Sequence, residues 1–131
     1  MQSRFLAYAD LAQQVDDEAL TSRIDVPKHK TLAEHLWCVV GARESYAKAL
    51  EAGSWAGFNC SMTNHSRKDF LVSLEGSAKA ALNAINSIEE WTAERDELLA
   101  ALAEHEVMHE GQIIRHIYGE NGTLPSSWKW A

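Results

Sequence analysis

His105 and His109 stand four residues apart, and a third histidine, His35, lies far upstream. Imidazole nitrogen is a common ligand of zinc, nickel and iron. Two histidines at i and i+4 on a helix converge on one side, about 6 Å apart along the axis. At 100° per residue, Leu98, Leu102, His105, His109, Gln112 and His116 fall within about 80° of one another. Histidines therefore occupy a stripe that should face the core. A buried polar group without a partner costs about 1–3 kcal/mol, so several in a row need a shared reason. A bound ion supplies one. His35 shares a face with Leu32, Val39, Ala42 and Tyr46, while Glu34, Glu44 and Lys48 point away. A triad of His35, His105 and His109 is expected to hold a divalent ion. Three protein ligands leave a position open, where a water or a thiol can be activated.

The other titratable residues rank below these. His116 is on the same stripe, about 10 Å from His109 along the axis, and reads as a core residue or as support for a ligand. His29 and His65 fall in polar segments and read as surface residues. Glu106 lies about 60° to one side of His109, so it is the candidate acid/base, against the alternative of a solvated helix flank. Glu104 and Glu110 point further away. Residues His105 to His109 also read as His-Glu-x-x-His, the zinc-peptidase pattern. That reading is disfavoured. The only later carboxylate beyond Glu110 is Glu120, in the turn that ends the helix, and no strand is available to hold an extended substrate.

Four helices must position these groups. The first covers roughly 3–14, with Phe5, Tyr8, Ala12 and Val15 on one face. A loop runs through Pro27 and His29. The second covers roughly 31–51, opened by a Thr31–Glu34 capping box and stopped by Gly53. The third covers roughly 67–89, capped by Ser66, with Phe70, Leu74, Ala78, Ala81, Leu82 and Ile85 buried. Thr92 caps a fourth of roughly 93–118, ended by Gly119 and Gly122. The tail that carries Trp128 and Trp130 is expected to pack on the bundle or on a partner.

The chain of 131 residues fits a single domain, residues 1–131, and 46% hydrophobic residues suffice for a core. A net charge of -7 disfavours nucleic acid, which needs clustered Lys and Arg. No apolar run reaches the roughly 20 residues of a membrane span. The N-terminus lacks a signal-peptide pattern, and Cys38 and Cys60 make no disulfide framework, which suits a cytoplasmic protein with reduced thiols. The apolar outward positions Val107, Ile114 and Trp37 predict a homodimer.

The segment Thr31-Leu32-Ala33-Glu34-His35-Leu36 resembles the second-helix motif of the DinB-like (DinB/YfiT) family of bacterial metalloenzymes. The segment His105-Glu106-Val107-Met108-His109-Glu110-Gly111-Gln112 resembles its His-x-x-x-His-x-Gly-Gln motif, and Leu124-Pro125 followed by Trp128 resembles a common family ending. The resemblance spans nearly the whole chain. It implies an all-α four-helix bundle of up-down-down-up topology, a homodimer, and zinc or nickel on His35, His105 and His109. It also implies a metal-dependent transferase or hydrolase acting on a small molecule, with a low-molecular-weight thiol as cofactor in some relatives. The loop between the second and third helices is compact for the family. The alternatives are a non-catalytic metal-binding or dimerisation bundle and, less favoured, the peptidase.

Overall fold

The computed structural model describes residues 1–131, which form five helices and no strands. They are α1 (Gln2–Gln14), α2 (Asp17–Thr21), α3 (Leu32–Ala52), α4 (Arg67–Ser87) and α5 (Ala93–Gly119). The long helices fall within two residues of the expected bounds because their caps form. Thr31 and Glu34 make a complete capping box on α3, Ser66 and Asp69 make another on α4, and Thr92 accepts from the Arg95 amide on α5. Gly53 closes α3 in the left-handed conformation, φ 78°. The end of α5 differs from expectation: Gly119 is still helical, and Asn121 takes the left-handed turn at φ 57°. The expected loop after α1 contains the short α2, capped by Asp16 and anchored by the buried Leu20.

α3 packs on α4 and α5, α1 packs on α4, and α2 leans on α3. α3 is buried on nearly every side, which suits its run of Ala, Leu and Val. The main core gathers Leu11, Leu36, Val39, Phe70, Leu74 and Ile113. Trp128 folds back into it, edge-on to Tyr8 at 5.4 Å, with its indole N–H donating to the Ala7 carbonyl at 2.8 Å. Trp130 stays partly exposed beneath the Arg4 guanidinium. Two other arginines bind free helix ends. Arg67, at the start of α4, donates to the Ala12 and Gln13 carbonyls at the end of α1. Arg95, in the first turn of α5, donates to Leu50 and Glu51 at the end of α3. The segment between α3 and α4 lies across α3, where Ser45 exchanges hydrogen bonds with the Asn59 backbone and Glu44 accepts from Ser61. No helix is long and apolar enough to cross a membrane.

Candidate metal centre

α3 and α5 bring His35 and His109 into contact, and His105 lies against His109. His35 Nδ1 lies 3.1 Å from His109 Nδ1, with ring centroids 5.3 Å apart. His105 packs on His109 with centroids 4.5 Å apart. His35 and His109 are both 2% exposed, and His105 is half-buried. Burial is the main cause that drives His35 down to a pKa of about 4 and His109 to about 3, and it lowers His105 in the same direction. The Lys30 ammonium adds to the lowering at all three. Near neutral pH these rings are uncharged, so each keeps one nitrogen lone pair. Two ring nitrogens, His35 Nε2 and His105 Nδ1, are buried with no hydrogen-bond partner. As they stand, no three His, Cys, Asp or Glu side chains are arranged to hold an ion. The donor set suits a metal chemically, but it would have to tighten around one. None of the five principal surface pockets is lined by a histidine.

Two more histidines extend the group. His29 was expected at the surface, but it is half-buried, 5.4 Å from His35 and stacked on His116 at 5.3 Å. The loop preceding α3 carries it there, so helical periodicity gave no sign of it. His116 is fully buried and hydrogen-bonded to His29 and Ser22. His65 lies outside the group, exposed, near Phe70.

The acidic residues of α5 depart most from expectation. Glu106 is 1% exposed, and both its oxygens are bound by Arg43, at 2.7 and 2.9 Å. It is neither a solvated flank nor a free base, so the His-Glu-x-x-His chemistry has no carboxylate to use. Arg43 is itself fully buried, over the rings of Phe5 (4.3 Å) and Tyr8 (5.0 Å). Tyr8 donates to the Glu106 carbonyl at 2.9 Å. Glu110, expected to point away, is 2% exposed and paired with Arg4, and its other oxygen is buried without a partner. Burial pushes its pKa up to about 6, against the pull of Arg4. The buried face of α5 runs through Leu102, Glu106, His109, Ile113 and Ile117. It is turned by about 60° from the histidine-centred stripe. Gln112 is consequently exposed.

Cys38 and Cys60 are free thiols, and Lys30 donates to Cys38 Sγ at 3.0 Å. Of the outward apolar residues, Val107 is 51% exposed, whereas Trp37 and Ile114 are half-buried against the core. No protein-family model matches the chain, and no curated protein sequence matches it significantly.

Proposed function

We propose that this protein is a metal-dependent enzyme of the DinB-like kind, with a divalent zinc or nickel ion held by His35, His105 and His109. The observation that carries the reading is that His35 Nδ1 and His109 Nδ1 face each other at 3.1 Å across two helices, with His105 packed on His109 and its own Nδ1 buried and unpartnered. Such atoms cost free energy unless something meets their lone pairs. An ion there would supply Lewis acidity toward a water or a low-molecular-weight thiol attacking an electrophilic small molecule. The chain's own contribution is to keep the imidazoles uncharged and to fix the relative position of the helices that bear them. Glu106 is not free to act as acid/base, because Arg43 engages both of its oxygens. It serves instead to tie α5 to α3 beside His105. We further propose that the four long helices form the up-down-down-up bundle of that family.

The test is metal content by plasma mass spectrometry on untagged protein, beside His35→Ala and His109→Ala. The parent should carry an ion that both variants lose. Turnover of epoxides, activated halides or maleyl compounds with a thiol should follow that loss. A parent that takes up neither zinc nor nickel would sink the reading. A homodimer remains a second proposal, favoured by the exposed Val107, Met108 and Tyr118 on α5. Light scattering at micromolar concentration should give twice the chain mass, and a monomer would contradict it.

A further inference from the structure

His29 and His116 meet in a way that the triad does not account for. His29 Nε2 lies 3.1 Å from His116 Nδ1, and the rings stack at 22°. The opposite nitrogen of His116, Nε2, faces Ser22 Oγ at 2.9 Å and Glu120 Oε2 at 3.5 Å. The Ser22 hydroxyl has one proton to give, and its acceptors are Glu120 Oε2 and the Ala19 carbonyl, both at 2.7 Å. Its lone pair then receives His116 Nε2–H, and the carboxylate at 3.5 Å favours the same tautomer. The Nδ1 lone pair of His116 is left facing His29.

This arrangement has the form found behind metal-bound histidines, where the ring N–H far from the ion is held by a carboxylate or hydroxyl. The spacing agrees as well. With bonds of about 2.0–2.1 Å, two adjacent imidazole nitrogens on one ion stand roughly 2.9–3.4 Å apart, from right-angled to tetrahedral geometry. An independent observation lies alongside. His35 packs edge-on to His29 at 5.4 Å and stands 6.5 Å from His116, and its Nε2 is buried with no partner.

We propose that the chain holds a second divalent-metal position, ligated by His29 Nε2 and His116 Nδ1, beside the triad. Its ion belongs to the nitrogen-preferring class of zinc, nickel and copper(II). Two protein nitrogens leave the remaining positions for water, with which the unpartnered Nε2 of His35 can hydrogen-bond. Ser22 and Glu120 are positioning residues, which act through His116. The proposal needs only the neighbourhood of the triad, not its occupancy.

The test is zinc titration of metal-stripped, untagged full-length chain, read by native mass spectrometry. Cobalt(II) absorption bands provide a second readout. Parent, His29→Ala, His116→Ala, His105→Ala and Glu120→Gln are compared, with circular dichroism to confirm folding. His29 is half-buried in a loop, so His29→Ala keeps the experiment decisive even if His116→Ala unfolds. The parent should bind about two ions per chain, and His29→Ala and His105→Ala about one each. Glu120→Gln should keep both but hold one of them about tenfold more weakly. One ion lost in His29→Ala and kept in His105→Ala would support this position and defeat the triad. One ion lost in His105→Ala and untouched by His29→Ala would overturn this position and leave the triad standing. Equal stoichiometry and affinity in parent and His29→Ala would also overturn it.

Discussion

Arg43 and Glu106 form an ion pair whose members are 0% and 1% exposed. Two charges so far from water are tolerable only together. Removing one partner leaves the other buried and unpaired, so Arg43→Ala or Glu106→Ala is expected to cost roughly 3–5 kcal/mol in urea denaturation. Arg43→Met combined with Glu106→Leu should recover most of that loss. A small cost for either single change would show that water reaches the pair. The histidines make a separate prediction. His35, His105, His109 and His116 all have folded pKa values below the unfolded value. Between pH 6.5 and about 3 the unfolded chain binds protons that the folded chain refuses, so stability should fall as pH drops through that window. Glu110 works the other way, because its raised pKa favours the folded state on the acid side. Four histidines outweigh one carboxyl. Thermal melts of metal-free protein should show a lower midpoint at pH 5 than at pH 7, and no change would contradict the burial of neutral imidazoles. At this scale the sequence was legible for His35 and His109, whose apolar neighbours recur at helical spacing. Arg43, Glu106 and Glu110 were not legible, because burial of each depends on an opposite charge from another helix. His29 was hidden because no period governs a loop.

Helix ends were legible because their caps are local chemistry. Thr31 and Glu34 lie three residues apart, and their bonds need nothing from the rest of the chain. Thr31→Ala should cost about 1 kcal/mol in urea denaturation and loosen the turn that carries His35. α2 escaped notice because five residues carry little periodic signal, and Leu20 is fixed by tertiary packing. Two helical glycines differ instructively. A side chain at Gly41 would lie 2.3 Å from Phe58 Cζ and 2.8 Å from Cys60 Cβ, whereas one at Gly76 would meet nothing within 4 Å. Gly76→Ala is therefore expected to stabilise by roughly 0.5–1 kcal/mol through helix propensity alone. Gly41→Ala should instead destabilise by about 1–2 kcal/mol, since the crossing segment must lift off α3. Chemical denaturation of both variants checks the pair, and a gain at both sites would mean that the segment does not press on α3.

At the scale of the whole molecule, the all-helical class followed from abundant Ala and Leu and from the placing of Pro27 and Pro125 outside the long helices. The packing order of the helices did not, because it is set by contacts between faces and not by the faces alone. The metal binding we propose is a property of this scale, since the ion would join α3 to α5. An ion that binds only the folded chain stabilises it by about 2.7 kcal/mol when present at 100 times its dissociation constant. Zinc should raise the melting temperature of the parent more than that of His109→Ala, and an equal rise would place the ion elsewhere. The arginines at the helix ends carry one more consequence. Arg67 binds the last carbonyls of α1 from the start of α4, and Arg95 binds those of α3 from the start of α5. A helix end that frays gives up the arginine that reaches it from its partner's first turn, so the two openings are expected to be coupled. In deuterium exchange, the amides at the end of α1 should lose protection together with those opening α4, and likewise at the end of α3 and the beginning of α5.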